Sequence, residues 1–178
     1  ETAGRDHRWP ESYWTGPGRI VDEPLEGDDS ALIMDRALEF IRGAGGKPFF
    51  ACVWFHAPHT PVAAGRGDRR AYAALEVEKQ HFLGSISALD AQVGRLRAEL
   101  RRLGLAEDTV VVFSSDNGYY LGEHGLGDKR SLYEESIRIP MLARYPRAFP
   151  KGRVVDEMVL NLDLAPTWLD LAGLPASP

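Results

Sequence analysis

Short continuous apolar runs alternate along this chain with longer segments of helical spacing. The runs KPFFACVWF (47–55) and DTVVVFSS (108–115) are too short for buried helices, so each predicts a buried strand. The segment IRIPMLARYP (137–146) is a shorter strand candidate. Its Pro140 indicates an edge strand or a bend.

The first predicted helix follows GDDS (27–30) and ends at GAGG (43–46). GDDS provides residues that cap helices, so Asp28 and Asp29 are interpreted as a cap and not as a pair of metal ligands. We expect one face of this helix to be apolar. Its members are Ile33, Ala37, Phe40 and Ile41.

A second and longer helix is predicted between Arg69 and Leu103, with Gly104 as its end. Its apolar positions recur at alternating steps of four and three: Phe82, Ile86, Leu89, Val93, Leu96, Leu100 and Leu103. A third helix is predicted in NLDLAPTWLDLAG (161–173), with Pro166 in its first turn and Gly173 after its end.

Strands that alternate with helices predict an α/β fold with a mostly parallel sheet flanked by helices. Residues 1–27 are rich in Trp, Gly, Pro and charge and have no sustained period. They are interpreted as an extended or looping segment. The predicted domain therefore comprises residues 28–178.

The composition and charge of the chain argue against a nucleic-acid partner and against a membrane span. The 178 residues carry a net charge of -5, and 44% of them are hydrophobic, which is typical of a globular domain. The basic residues are dispersed, so we expect no nucleic-acid partner, and no run reaches the roughly 20 apolar residues of a membrane span. The single cysteine, Cys52, lies in an apolar run and is predicted to be a small buried hydrophobe.

Polar clusters follow both main strand candidates. HAPHTP (56–61) places His56 and His59 between stiffening prolines, and Asp116 and Asn117 come directly after TVVVFSS. In an open α/β sheet, ligands bind beyond the carboxyl ends of the strands. We therefore expect these side chains to lie at one edge of the sheet.

The residue types in these clusters suit a metal and an anion. Asp116 and Asn117 offer the oxygen ligands that Ca²⁺ or Mg²⁺ prefers. Lys129 closes a glycine-rich loop that also contains His124, and a lysine there suits a contact to phosphate or sulfate. Taken singly, DNG is a common turn, each histidine could be structural and Lys129 could be a surface charge. Their coincidence favours a functional site.

Four motifs resemble the type I sulfatases of the alkaline-phosphatase superfamily, in order from about residue 28 to about residue 173. They are PFFACVWFHAPHTP, SALDAQVGRLRAELRRLGLAEDTVVVFSSDNG, LGEHGLGDKRSLYEESIRIPML and LDLAPTWLDLAG. The resemblance implies an alkaline-phosphatase-like fold, of which this chain would be a partial domain. It also implies a divalent cation, usually Ca²⁺ with Mg²⁺ as the alternative, and a formylglycine nucleophile.

The resemblance also implies roles for individual residues. Asp116 and Asn117 would be metal ligands. His59 and Lys129 would be catalytic, His59 at the sulfate or the leaving oxygen and Lys129 at a sulfate oxygen. His124 and His56 would contact substrate.

The sequence departs from the family pattern in one respect. The Cys/Ser-x-Pro/Ala-x-Arg segment that carries the nucleophile is absent, and so is the first pair of metal carboxylates. We therefore expect the later part of a catalytic domain, inactive alone. Its parent would hydrolyse a carbohydrate or aryl sulfate, and a carbohydrate sulfatase would act in the periplasm or after secretion.

Two alternatives stay open at this point. One is a phosphodiester or phosphonate monoester hydrolase of the same superfamily. The other is a non-catalytic remnant that binds sulfated sugars. The particular ester and the oligomeric state are not readable from the residues.

Overall fold

A computed structural model describes residues 13–14, 20–21 and 29–175 of the chain. The remainder of the predicted 1–27 segment and Asp28 lie outside the described residues, so the boundary at residue 28 stays a prediction. The chain divides into two compact units, residues 1–106 and residues 107–178. Each unit is described by itself below.

The first unit is built on helices. They are α1 (Ser30–Gly43), α2 (Arg66–Arg69) and α3 (Val77–Arg102), with a 3₁₀ turn at Arg70–Tyr72 before α3. Helices α1 and α2 both pack against α3. Strands β1 (Tyr13–Trp14) and β2 (Ile20–Val21) form a short antiparallel pair.

The buried face of α1 differs from the predicted one by about one residue. Met34, Leu38 and Ile41 are buried, whereas the side chain of Phe40 is 52% exposed. The spacing of three and four that defines a helix stripe is retained. Which residues of α1 face α3 depends on how the two helices pack. Sequence spacing therefore predicts the helix more accurately than it predicts the buried residues.

The fully buried positions of helix α3 are mostly small or polar, and most of its apolar stripe is half-buried. The buried positions are His81, Gly84, Ser85, Ala88, Gln92, Glu99 and Leu100. At Gly84 a Cβ atom would lie 2.9 Å from the Cβ of Ala64, so small residues allow the close approach of neighbouring segments. Of the predicted stripe, only Leu100 is buried, and Ile86 is 39% exposed. The predicted end is confirmed, because Gly104 has a φ of +72° and Leu105 N donates to Leu100 O.

Ion pairs tie α1 to α3. The Glu99 carboxylate accepts from Arg42 Nε at 2.6 Å and from Arg102 Nη2 at 2.7 Å. The hydrogen bond from Arg102, and next that from Arg42, lower the pKa of Glu99 from 4.5 to about 2. Asp35 of α1 pairs with Arg95 of α3 at 2.5 Å.

The second unit contains two antiparallel strand pairs and two helices. Strand β3 (Val111–Ser114) pairs with β6 (Met141–Arg144), and β4 (Tyr120–Leu121) pairs with β5 (Gly127–Asp128). The helices are α4 (Glu134–Ile137) and α5 (Leu164–Leu171). Strands β3 and β6 and helix α5 confirm the strands and the third helix predicted for this half, and β6 begins directly after Pro140.

Two expectations about the sheet need correction within the described part of the chain. Every strand pair there is antiparallel, so the predicted parallel pairing is not formed among these residues. Residues 48–56 contain no strand, Trp54 is 84% exposed and Cys52 is exposed as well. A buried strand needs strand neighbours on its edges and cover on both faces, and no strand of the described residues pairs with this segment. No helix among them is long and apolar enough to cross a membrane.

Candidate active site

The Asp-Asn-Gly segment lies at the carboxyl end of β3, as predicted. Asp116 Oδ1 accepts a hydrogen bond from Asn117 N at 2.9 Å, and Asn117 Nδ2 donates to Gly118 O at 2.6 Å. Ser115 Oγ donates to Asn117 O at 2.9 Å. These bonds hold the turn in one shape. They also engage the side-chain nitrogen of Asn117, so its side-chain oxygen, Oδ1, is the atom that can bind a ligand.

Asp116, Asn117 and Lys129 line one open hollow of the second unit, about 460 Å³ in volume. Three of the six residues predicted for the site are thus brought together. The other lining residues are Arg130, Ser131, Leu132, Ser136 and Ile137.

The neighbours of Lys129 leave its charge available to an anion. Asp128 has a left-handed backbone, with φ of 69°, and its Oδ2 pairs with Arg130 Nε at 2.9 Å. Among the described carboxylates, none forms an ion pair with Lys129. A lysine ammonium without a fixed counter-ion, beside an amide and a carboxylate, can bind one oxygen of a tetrahedral anion.

Ser136 links the Asp116 loop to the Lys129 segment. Its carbonyl accepts from Gly118 N at 2.7 Å, and its Oγ donates to Lys129 O at 2.5 Å. The peptide of Glu135 comes so close to Gly118 that a Cβ atom there would lie 2.0 Å from Glu135 O. Glycine is therefore required at position 118 by contact and not by an unusual φ.

His124 lies in the same unit but is not among the residues that line the hollow. Its ring stacks on Tyr133, with centroids 4.1 Å apart and planes at 13°, and its Nε2 is 3.2 Å from Glu135 Oε2. This arrangement joins the GEHG loop to the segment that carries Ser136. The predicted substrate contact of His124 stays a prediction.

His56 and His59 belong to the first unit, so their place beside the hollow stays a prediction. His59 Nδ1 is 2.6 Å from the carbonyl oxygen of Thr60, and His56 Nδ1 is 2.5 Å from Asp29 Oδ2. Asp29 is the residue interpreted above as a helix cap. Asp29 occupies the N-cap position of α1, as predicted, but its side chain makes no capping hydrogen bond and reaches His56 instead.

The donor set at the end of β3 fits part of a site for a hard divalent cation. A carboxylate and an amide carbonyl are adjacent and face the hollow that Lys129 also lines. Ca²⁺ takes about six to eight oxygen ligands, so these two residues alone make an incomplete site. In the described ranges, no group of three or more His, Cys, Asp or Glu side chains comes together as a metal centre.

Sequence reasoning missed Ser136 as part of the site, and it missed the contact of Asp29 with His56 in the first unit. Ser136 has no signal in the sequence, because its importance comes from a backbone approach between segments eighteen residues apart, from Gly118 to Ser136. For Asp29 the signal existed but pointed to a cap, since Asp before an apolar helix usually has that role.

Comparison with known proteins places this arrangement in a family. The sulfatase family profile matches residues 4–174, and the chain belongs to the sulfatase family. It is 39% identical over 113 residues to the N-acetylglucosamine-6-O-sulfatase of Bacteroides thetaiotaomicron. The aligned region covers 61% of this chain and 20% of that protein.

Solved structures give the fold. Ps i-CgsB in complex with k-i-k-neocarrahexaose matches with a TM-score of 0.80 and 30% identity, over 91% of this chain and 37% of that one. A phosphonate monoester hydrolase from Silicibacter pomeroyi has a TM-score of 0.72, over 83% and 38% of the two chains, but its 24% identity shows the fold alone. The chain is thus a partial α/β domain of the alkaline-phosphatase-like fold, and it spans well under two thirds of these proteins.

Proposed function

We propose that the protein to which this chain contributes hydrolyses sulfate esters, and that the hollow of the second unit receives the sulfate group. The observation that carries the proposal is the presence of Asp116, Asn117 and Lys129 around one hollow. A carboxylate and amide for a cation, with a lysine for an anion, form the combination that a negatively charged ester requires.

The chemistry explains why these residues would accelerate the reaction. Sulfuryl transfer builds negative charge on the leaving oxygen and redistributes charge over the sulfate oxygens. Lys129 would stabilise that charge more strongly in the transition state than in the bound ester. Asp116 and Asn117 would hold a divalent cation, Ca²⁺ or Mg²⁺, which when bound supplies further positive charge at the sulfate oxygens.

His59 would act at the leaving oxygen. The Thr60 carbonyl can only accept, so Nδ1 of His59 carries the hydrogen in their 2.6 Å contact, and Nε2 is the nitrogen presented to substrate. A protonated histidine at this place can donate a proton to the leaving alcohol. His124 and His56 would make further contacts to the substrate.

The nucleophile would come from another part of the parent protein. Family membership favours a formylglycine there, and Cys52, followed by VWF, does not have the required sequence context. The chain alone would therefore show no turnover. The name of the N-acetylglucosamine-6-O-sulfatase and the complex of Ps i-CgsB with a neocarrahexaose support a sulfated carbohydrate as the substrate.

The competing activity is hydrolysis of a phosphonate monoester or a phosphodiester, because a phosphonate monoester hydrolase shares the fold. Asn117 favours the sulfatase, since phosphate-processing relatives more often place a histidine beside that aspartate. The test is the ratio of kcat/KM on an aryl sulfate to that on the matching aryl phosphonate, measured with the full-length enzyme. A ratio above one supports the proposal, and a ratio far below one contradicts it.

A non-catalytic sugar-binding role is tested with the same protein. Calorimetric titration with a sulfated oligosaccharide, in the presence of Ca²⁺, would report saturable binding in either case. Binding without any hydrolysis of sulfate esters would favour the binding module and overturn the proposed enzyme.

A further inference from the structure

Two serines line the hollow of the second unit, and their hydroxyl groups are used differently. The hydroxyl of Ser136 donates to the backbone carbonyl of Lys129 at 2.5 Å, so its hydrogen is engaged within the protein. Ser131 Oγ lies 2.8 Å from the hydroxyl oxygen of Tyr120. In the part of the chain that the structure describes, this is the only hydrogen bond of the Ser131 side chain. The proposed reaction assigns no role to Ser131.

The burial of Tyr120 decides which of the two hydroxyl groups donates. Tyr120 is 1% exposed and is not among the residues that line the hollow. Within the described ranges, Ser131 is the one hydrogen-bond partner of its hydroxyl. If Ser131 donated, the phenol hydrogen would be buried without an acceptor, which costs more than an ordinary hydrogen bond contributes. We therefore take Tyr120 as the donor and Ser131 as the acceptor.

The ring of Tyr120 is held in place by its neighbours. Its backbone pairs with Asp128 between β4 and β5. The rings of His124 and Tyr133 pack edge-to-face against it, with centroids 6.3 and 6.4 Å away. The phenol hydroxyl that Ser131 contacts therefore has a defined position.

This direction leaves the hydrogen of Ser131 for a ligand. A serine hydroxyl has one hydrogen, which rotates towards an available acceptor. Ser131 is half-buried in the wall of the hollow that Asn117 and Lys129 also line. The hydrogen bond received from Tyr120 polarises the serine hydroxyl, so it becomes a stronger donor.

We propose that Ser131 is a further substrate-contacting residue, whose hydroxyl donates a hydrogen bond to an oxygen of the sulfate group beside Lys129. An anion accepts several hydrogen bonds, and a bond to a charged acceptor is stronger than one between neutral groups. Tyr120 is a positioning residue that acts through Ser131. The inference rests on the proposed function, since it assumes a sulfate group in the hollow.

Binding of inorganic sulfate to the full-length protein with Ca²⁺ present, measured by titration calorimetry, tests the contact without turnover. Ser131→Ala should raise Kd about tenfold, the effect of losing one hydrogen bond to an anion. Ser131→Thr keeps the hydroxyl and should bind nearly as the wild type does. Ser87→Ala is the matched control, because it breaks a similar pair with Tyr72 at 2.7 Å in the first unit, and it should leave Kd unchanged. An unchanged Kd in Ser131→Ala overturns the inference.

A double variant separates binding from packing. Ser131→Ala alone leaves the buried Tyr120 hydroxyl without an acceptor, so a displaced ring could also weaken binding. Combining it with Tyr120→Phe removes both hydroxyl groups, which is nearly neutral for stability. The double variant should bind sulfate as weakly as Ser131→Ala, and Tyr120→Phe alone should have a smaller effect. Wild-type affinity in the double variant would show a purely structural role and refute the contact.

Failure of the proposed function gives a different result. A wild-type protein that hydrolyses no sulfate ester and binds no sulfate refutes both the function and the contact. A wild type that does both, beside a Ser131→Ala variant with the same Kd, refutes the contact alone.

Discussion

The hydroxyl of Ser136 donates a hydrogen bond to the backbone carbonyl of Lys129 at an O···O distance of 2.5 Å. The carbonyl of the same serine accepts from Gly118 N. One buried residue thus joins the loop that carries Asp116 and Asn117 to the segment that carries the lysine. Ser136 therefore fixes the position of Asp116 and Asn117, the proposed cation ligands, relative to Lys129, which is proposed to bind the sulfate.

Replacing Ser136 with alanine should weaken both stability and catalysis. The variant removes a partly buried hydrogen bond to the Lys129 carbonyl, which costs about 0.5–1.5 kcal/mol of unfolding free energy. Misplacement of Lys129 should lower kcat/KM roughly ten- to a hundredfold. Urea denaturation and sulfate-ester kinetics of the full-length enzyme measure the two effects.

The threonine variant and a remote serine provide the controls. Ser136→Thr keeps the hydroxyl and should recover part of the lost rate. Ser87→Ala removes a hydroxyl that contacts Tyr72 in the first unit and should leave kcat/KM unchanged. Equal rates for Ser136→Ala and the wild type would show that the link does not position the lysine.

Gly118 should not tolerate even a methyl group. A Cβ atom would lie 2.0 Å from Glu135 O, so Gly118→Ala must displace backbone on one side of the hollow. Helical Gly94, with nothing within 4 Å of its Cβ position, is the matched control. There alanine should stabilise the protein by about 0.5–1 kcal/mol. Thermal unfolding of both variants tests the contrast, and a neutral Gly118→Ala would contradict the observed approach.

The ion pairs of Glu99 should raise the free energy of unfolding at neutral pH, and this contribution should be lost in acid. The pKa of Glu99 is lowered from 4.5 to about 2, first by Arg102 and then by Arg42. Between these values the unfolded state binds the proton and the native state does not, so stability rises with pH. The contribution is complete above about pH 4.5 and is lost as pH falls towards about 2.

The Glu99→Gln variant isolates that contribution. Its unfolding free energy should be lower than that of the wild type by a constant amount from pH 7 down to about pH 4.5. Below that pH the difference should shrink. Glu39→Gln, which removes an exposed pair with Arg36, should have a smaller effect. A Glu99→Gln deficit that grows as the solution is acidified would reverse the sign and refute the assignment.

Cation binding should depend on Asp116. Asp116→Asn removes one negative charge from the proposed ligand set, so the concentration of Ca²⁺ or Mg²⁺ that restores activity to a chelator-treated enzyme should rise roughly tenfold or more. Asp156→Asn, at an exposed position of the same unit, should keep the wild-type requirement. The same metal requirement in Asp116→Asn and wild type would remove Asp116 from the ligand set.

The sequence predicted the grouping of three of the six candidate residues better than it predicted the buried surfaces. The end of β3, the Asp-Asn-Gly turn and the lysine at the close of the glycine-rich loop follow from local patterns, and the structure brings Asp116, Asn117 and Lys129 together. Which residues of helix α3 are fully buried does not follow from the sequence, because that depends on the segments packed against the helix. Such choices depend on long-range contacts that periodicity does not contain.

The extended run before His56 shows the same limit. Its apolar residues predicted a buried strand, but Trp54 and Cys52 are exposed among the residues described. The apolar residues of a segment show that it can be buried, but they do not show which other part of the protein packs over it. The Ser136 link was unpredictable for a similar reason, since it depends on two backbone segments meeting.

The central claim is that the hollow containing Lys129 binds the sulfate group during hydrolysis. The most direct test is kcat/KM of full-length Lys129→Met on a sulfate ester, beside Lys151→Met, an exposed lysine of the same unit. The account predicts a loss of about a hundred- to a thousandfold for Lys129→Met, the effect of removing one transition-state donor, and no change for Lys151→Met. A Lys129→Met enzyme as active as the wild type would contradict it.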